Sequence, residues 1–293
     1  MIFCLDVGGT FIKLGIFDKE GNFVVKEKFP TPKNSQVAFF QVIKEKFQEY
    51  QKKYFFQGIG VSFPGIFDPA TGETIYAGAL PIFNQTNLLN LFKENVDNSI
   101  PIVIENDGNC AGYAEYMAGN GQSVSELCLI TIGTGIGGAL IRNGEIFYGH
   151  KFKGGELGMM MIDIENGYHT LHDLAATSSL VNGYRKTFNI PESVEVTGEM
   201  IFQDQRIEAK TVLKKWAEKV AVMIFNVAVT LSPDKILIGG GISQNSQLLP
   251  LIKDALVQNP FWEDFQVPIE PCQFHNDSGL LGAYYLCRKK LSE

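Results

Sequence analysis

At 293 residues with 45% hydrophobic content, the chain is long enough for a full core and exceeds a usual single domain, so two lobes are expected. Its net charge is −7 and its lysines are scattered, which argues against nucleic acid as a partner. Cys4, Cys110, Cys128, Cys272 and Cys287 are far apart and form no C-x-x-C pair, so a reduced compartment without a cysteine zinc site is predicted.

A strand pattern opens at Ile2 without a charged leader, and no apolar run approaches about 18 residues; a cytoplasmic protein without membrane contact is expected. Ile2 to Phe17 reads as two strands joined by a tight turn at Gly8-Gly9-Thr10. Two adjacent glycines clear side chains so that backbone N–H groups can meet an anion, while Thr10 adds a hydroxyl and Lys13 a charge. Asp6, ending the first strand, can hold a magnesium ion through water. A Gly-Gly turn equally suits any hairpin. The segment lacks the lysine-serine ending of a Walker loop and the helix of a dinucleotide fingerprint, which argues against both of those folds.

Ser35 to Tyr54 has helical periodicity through Val37, Phe40, Ile43, Phe47 and Tyr50, and Thr86 to Asn95 reads as a shorter helix. Pro101 to Asn109 is an apolar strand that breaks into Glu105-Asn106-Asp107-Gly108-Asn109, with a helix predicted from Cys110 to Met117. Open α/β sheets bind ligands beyond the carboxyl ends of their strands, so Asp107 is placed to face a substrate; it would serve equally as a helix cap or turn residue.

Leu127 to Ile141 repeats the first hairpin in outline: a strand, the turn Thr131-Ile132-Gly133-Thr134-Gly135-Ile136-Gly137-Gly138, and a second strand. Internal duplication implies two similar lobes, and two phosphate-binding hairpins facing across a cleft would grip a triphosphate. A glycine-rich barrel or sandwich turn is the plainer alternative. Ala209 to Leu231 is the longest helical pattern, with Val212, Trp216, Val220, Met223 and Val227 on one stripe. The strand from Asp234 ends in Gly239-Gly240-Gly241, with a helix expected from Ser243 to Asn245 onward. Such a turn lets a flat ring or ribose lie on bare backbone, or is only a tight connection. Gly279 to Lys290 looks like a last helix.

Asp6-x-Gly-Gly-Thr, Ile132-Gly133-Thr134-Gly135-Ile136-Gly137-Gly138, Gly239-Gly240-Gly241 and Glu105-Asn106-Asp107-Gly108-Asn109, taken together, resemble the ROK family of sugar kinases and repressors within the actin-like ATPase superfamily. The resemblance covers essentially the whole chain. It implies a two-lobed α/β actin-like ATPase (ribonuclease H-like) fold with duplicated βββαβα-type lobes around a central cleft. One lobe would comprise 1–116 plus 279–293, the other 117–278, with hinges near 116–126 and 278. It implies ATP- and magnesium-dependent phosphorylation of a sugar hydroxyl with Asp107 as general base, and it suggests a homodimer. Sugar contacts implied by position are Gly65, in the Pro64-Gly65 turn, and Asn84, Asn106, Asp107 and Glu156, with Asp173 as a further acid. The nucleotide set is Asp6, Gly8, Gly9, Thr10, Lys13, Thr131, Gly133, Thr134, Gly135, Gly137, Gly239, Gly240 and Gly241.

The chain departs from the family where Gly-Glu-x-Gly-His and a cysteine-rich zinc loop are expected. It reads Gly155-Glu156-Leu157-Gly158-Met159, and no cysteine follows between Met160 and Asp173. Met159 cannot replace an imidazole ligand, and His169 and His172 read as solvated loop residues, so no structural zinc is expected. The loss points to zinc-less relatives such as β-glucoside kinases, with glucose or the non-reducing glucose of a β-glucoside as acceptor. N-acetylmannosamine and fructose are alternatives by the same mechanism. Phe83, Tyr76 and Met159 would either wall a second sugar or simply pack in the core. A ROK repressor would need a helix-turn-helix before the first phosphate motif. Another actin-like ATPase would hydrolyse ATP without a sugar.

Overall fold

The computed structural model describes residues 1–165 and 167–293. It divides into two compact units, Met1–Met117 with Tyr148–Gly154 and Asp277–Glu293, and Ala118–Phe147 with Gly155–Asn276. Assigning Tyr148–Gly154 to the first unit departs from the division expected from sequence, which left that stretch in the second lobe.

In the first unit, strands β1 (Ile2–Val7), β2 (Phe11–Phe17) and β3 (Phe23–Pro30) form an antiparallel meander. Helix α1 (Gln36–Gln51) follows, its first turn capped by the Ser35 hydroxyl, which accepts from the Ala38 amide. Phe39, Phe40, Ile43, Phe47 and Tyr50 form its buried face, whereas Val37, expected on that face, is 79% exposed, and Phe39 in the same first turn is buried in its stead. Strand β4 (Gly58–Phe63) runs parallel to β1, the small hairpin β5 (Ile66–Phe67) and β6 (Thr74–Tyr76) leads to α2 (Leu88–Asn95), and β7 (Ile102–Asn106) lies parallel to β4. Helix α3 (Asp107–Ala118) starts directly at the end of β7, three residues before the start expected from sequence. The sheet order is β3-β2-β1-β4-β7.

The core of this unit is rich in phenylalanine. Phe83 is fully buried and packs edge-on against Phe39, Phe40 and Phe63, so it belongs to the core and not to a sugar wall.

The second unit repeats the plan. Strands β8 (Glu126–Ile132), β9 (Ile136–Arg142) and β10 (Glu145–Ile146) are antiparallel neighbours. After the short pair β11 (Met161–Asp163) and β12 (His169–Thr170) come α4 (Leu171–Ala175), α5 (Thr177–Phe188), α6 (Gly198–Gln203) and α7 (Ile207–Leu231). Strand β13 (Lys235–Gly239), helix α8 (Leu248–Val257) and strand β14 (Ile269–Pro271) complete an order of β10-β9-β8-β13-β14, with β13 parallel to both of its neighbours. The two sheets therefore have the same sequence of antiparallel and parallel pairings, which is the internal duplication expected from the hairpins.

Helix α7 is the brace of this unit. It buries Trp216, Val220, Met223, Ile224 and Val227, and each such aliphatic side chain contributes about 1.5–3 kcal/mol. The Trp216 indole N–H reaches the carbonyls of Ala175 and Ala176 at 3.0 and 3.1 Å. A last helix, α9 (Ser278–Ser292), returns to the first unit and lies on its sheet. It approaches so closely that a Cβ on Gly60 would stand 2.4 Å from the Ala283 carbonyl oxygen. No described helix is long and apolar enough to cross a membrane.

Candidate active site

The strand end of β7 organises the first unit. Glu105 is buried there, where its carboxylate accepts from the Asn106 amide at 2.7 Å, the Asn109 side chain at 2.9 Å and the Tyr148 hydroxyl at 2.6 Å. Burial pushes its pKa up, and the three donors oppose that shift. Asn106 is likewise engaged at both ends of its amide: Nδ2 donates to the Gly65 carbonyl at 2.8 Å, and Oδ1 accepts from the Asn109 amide at 3.0 Å. Asp107, the next residue, is exposed at the first position of α3, and its Oδ1 accepts from the Gly108 amide at 2.9 Å. Beneath it the buried Cys110 thiol is pushed well up, first by burial and then by the charges of Glu105, Asp6 and Asp107. Asp6 and Asp107 thus lie within electrostatic reach of one buried group.

Asp6 ends β1 with both carboxylate oxygens engaged. Oδ2 accepts from Lys13 Nζ at 2.9 Å across the hairpin, and Oδ1 accepts from Ser62 Oγ at 2.8 Å. A Cβ on Gly279 would come within 2.5 Å of Oδ1, so that position of α9 has no space for a side chain. Lys13, expected to offer its charge to a phosphate, is paired with Asp6. Each oxygen of Asp6 retains a second lone pair, and a single carboxylate acting through water suits a magnesium ion that keeps most of its hydration shell. The Gly8 amide closes the turn onto the Phe11 carbonyl at 3.0 Å, so an anion at this turn would be held by the Gly9 and Thr10 amides and the Thr10 hydroxyl.

Two implied sugar contacts turn out to be engaged in scaffolding. Gly65 has φ +118°, and a Cβ there would lie 2.1 Å from the Tyr76 carbonyl oxygen; the residue is glycine because its own chain crowds it. Asn84 is exposed, with Oδ1 accepting from the Ala77 amide at 2.8 Å, which ties down the same turn.

In the second unit the Gly133-Thr134-Gly135 turn lies in the wall of a cavity of about 860 Å³ lined also by Thr177, Ser178, Asn182, Gly198 and Gly241. The turn is tied to the start of α5: the Thr177 amide donates to the Gly133 carbonyl at 2.9 Å and Ser178 Oγ to the Thr134 carbonyl at 2.7 Å. Thr177 Oγ1 is buried with no hydrogen-bond partner among the described residues, a polar atom that a bound molecule would satisfy. Directly against the strand end before this turn, Gly240 has φ +88°, and a Cβ would stand 2.2 Å from the Ile132 carbonyl oxygen, while Gly241 faces open space. Thr131 Oγ1 lies where a Cβ on Gly137 would be 2.6 Å away, and Gly239 lies against Cys272. The expected helix after these glycines starts only at Leu248. Ser243 Oγ donates to the Gly240 carbonyl at 2.7 Å and Asn245 Oδ1 accepts from the Gln247 amide at 2.9 Å, which holds a 3-10 turn over Gly241–Gln244 first. The cavity, its bare-backbone wall and its orphaned hydroxyl fit a nucleotide.

Glu156 keeps solvent access, yet the protein crowded around its carboxyl pushes its pKa up, with His172 opposing. Asp173, implied by the resemblance as a further acid, is exposed. Its carboxylate accepts from the Thr170 amide and hydroxyl, both at 2.8 Å, so it closes the capping box of α4 and is held low by those bonds. Met159 and Tyr76 are both more than half exposed. Among the described residues no His, Cys, Asp or Glu cluster is arranged to hold a metal ion. Sequence reasoning missed Tyr148, His172, Thr177 and Ser178. The run Thr177-Ser178-Ser179 opening a helix was the available signal for the last two.

The chain is 29% identical to the β-glucoside kinase of Listeria monocytogenes over 97% of this chain and 96% of that protein. A solved candidate N-acetylmannosamine kinase from Listeria monocytogenes superposes with a TM-score of 0.86 at 29% identity over 99% of both chains. A ROK family protein from Streptococcus pneumoniae in complex with sucrose gives the same TM-score at 26% identity and the same coverage. The family model described as ROK family matches residues 2–290, and on that nearly complete match the chain belongs to the ROK family.

Proposed function

We propose that this protein is an ATP-dependent sugar kinase whose acceptor is the 6-hydroxyl of glucose or of the non-reducing glucose of a β-glucoside, with Asp107 as general base. The observation that carries the reading is the division of labour at the end of β7. Glu105 and Asn106 are committed to holding the loop, and Asp107 alone of the three presents an exposed carboxylate beyond the carboxyl end of a parallel strand. An aspartate there accepts the hydroxyl proton as the oxygen attacks.

ATP supplies the phosphoryl group, and magnesium screens its charge. Thr177, Ser178 and the Thr134 and Gly135 amides would orient the nucleotide, the Gly133 amide being spent on the Gly135 carbonyl at 2.9 Å, with bare backbone at Gly240-Gly241 against its flat part. Asp6, fixed by Lys13 and Ser62, would hold the hydrated ion. Glu156, with its raised pKa, suits hydrogen bonding to sugar hydroxyls. The β-glucoside preference rests on the relationship to the Listeria β-glucoside kinase and on Met159 standing where zinc-dependent members place histidine. The similarity to a candidate N-acetylmannosamine kinase favours that amino sugar as the second reading.

The test is coupled ADP release with ATP and magnesium against glucose, cellobiose, gentiobiose, N-acetylmannosamine, mannose and fructose. Turnover on the disaccharides is expected. Turnover on N-acetylmannosamine alone would replace the acceptor and keep the mechanism, and no sugar-dependent ADP release would overturn the kinase reading.

A further inference from the structure

His172 is wedged between two loops of the second unit. Its Nδ1 accepts a hydrogen bond from the Ile136 amide at 2.9 Å, at the first residue of β9 after the Gly133-Thr134-Gly135 turn. A Cβ on Gly135 would lie 2.9 Å from the same nitrogen, so the imidazole packs directly on that turn. Its other edge meets the loop that carries Glu156: a Cβ on Gly158 would stand 2.5 Å from Cε1 and 2.6 Å from Nε2. Glu156 feels the ring electrostatically. One side chain, 36 residues along the chain from Ile136, therefore joins the turn assigned to nucleotide and the loop assigned to sugar.

The bond to Ile136 has a chemical condition. An amide N–H needs a lone pair to donate to, so Nδ1 must carry no proton, and the neutral ring is the tautomer protonated at Nε2. A second proton turns Nδ1 into a donor facing a donor. The bond is then lost, with the Ile136 amide still pointing at the ring.

We propose that His172 is a positioning residue that holds the Gly133–Gly135 turn through an unprotonated Nδ1, so that the protein loses nucleotide affinity when the imidazole takes up a second proton. The inference rests on the nucleotide reading of that turn. The ionisable groups around the ring are Glu156 on the facing loop, Asp173 on its own helix, and His169 at the helix entrance, which acts on Asp173. Gly135, Ile136 and Gly158 bring no charge. Both carboxylates attract a charged imidazole, and the Ile136 amide repels it.

Two substitutions separate the bond from the charge. In His172→Asn the amide Oδ1 can take the place of Nδ1 as an acceptor that does not titrate, and His172→Ala removes the acceptor. The dissociation constant of magnesium ATP is measured by calorimetry without sugar, between about pH 8 and about pH 5.5, where histidine changes charge. Unfolding midpoints of each variant establish that it is folded. At the upper pH, His172→Ala is expected to bind roughly five- to tenfold more weakly than the wild type, and His172→Asn to recover most of that loss. On acidification the wild type should weaken more steeply than His172→Asn, because the nucleotide's own protonation is common to both proteins.

Equal slopes in the wild type and His172→Asn would overturn the proposal, as would wild-type affinity in a folded His172→Ala. A wild type that binds no ATP at either pH would overturn the nucleotide reading with it. ATP binding without these differences would sink the proposal alone.

Discussion

At the strand end of the first hairpin Asp6 stands opposite Lys13, joined to it at 2.9 Å; at the matching place in the second, Thr131 stands opposite Gly137. The sheets around the two hairpins have the same strand order and pairing pattern. Duplication preserved the backbone, and the pair at the strand end diverged. An ion pair held in place by Ser62 fixes a carboxylate at the first turn, where the proposed function would put a hydrated cation. A hydroxyl opposite glycine leaves the second turn neutral, and its ties run to α5 and His172, beside a cavity of about 860 Å³. On the proposed function, the carboxylates that would take the hydroxyl proton and hold the cation, Asp107 and Asp6, both lie in the first unit, and the neutral turn that would cradle the nucleotide lies in the second.

The largest test of that division is Asp107→Asn. Loss of the base should lower kcat by about 10²–10⁴-fold with the KM for sugar nearly unchanged, because the amide keeps the shape and the Gly108 contact. Steady-state kinetics with the best acceptor of the panel checks it; near-normal kcat would remove acid–base work from the first unit. Gly240→Val attacks the other side. The residue sits at φ +88°, and its Cβ would be forced to within 2.2 Å of the Ile132 carbonyl oxygen, so the change should lower stability by about 1–3 kcal/mol. Magnesium ATP affinity should fall by more than about tenfold at a temperature where the variant is folded, read by calorimetry.

Glu105 sharpens the comparison through pH. Glu105→Ala strips the Tyr148 hydroxyl, the Asn109 amide and the Asn106 N–H of their acceptor, at a cost of about 1–3 kcal/mol in urea unfolding. Glu105→Gln keeps an acceptor and removes the charge. Burial raises the folded pKa of Glu105 above its unfolded value of about 4.3, so its contribution is fully present below that value and is lost as pH rises through the folded one. The wild type should therefore lose stability relative to Glu105→Gln across this interval, and parallel stability curves would contradict a raised pKa.

Much of this was legible in the sequence because it is local. Strand, glycine turn and strand lie close together along the chain in each hairpin, Ile2 to Phe17 and Glu126 to Arg142, and Asp107 follows its strand directly. What stayed hidden depends on partners far along the chain. Tyr148 reaches Glu105 across 43 residues, and nothing in its neighbourhood marks the stretch to Gly154 as part of the first unit. His172 looked like a loop histidine because it lies in the short helix α4 and its partner, Ile136, opens a strand 36 residues earlier. The cap at Asp173 is local by contrast: a carboxylate three residues after a threonine is a capping signal, and the structure uses it to close the capping box of α4. Gly65 and Asn84 were expected to contact sugar, and the constraint the structure shows on both comes from the Tyr76–Ala77 backbone.

The smallest expected effect isolates the neutral cradle. Ser178 Oγ donates to the Thr134 carbonyl at 2.7 Å, so it fixes the turn without contributing charge. Ser178→Ala removes one neutral hydrogen bond at a partly exposed site, worth about 0.5–1.5 kcal/mol. If that bond only orders the turn, the KM for ATP should rise by roughly two- to tenfold, with kcat and the KM for sugar little changed. A drop in kcat at constant KM for ATP would place Ser178 in the transferring step itself, and the second hairpin would then share the work that the comparison assigns to the first.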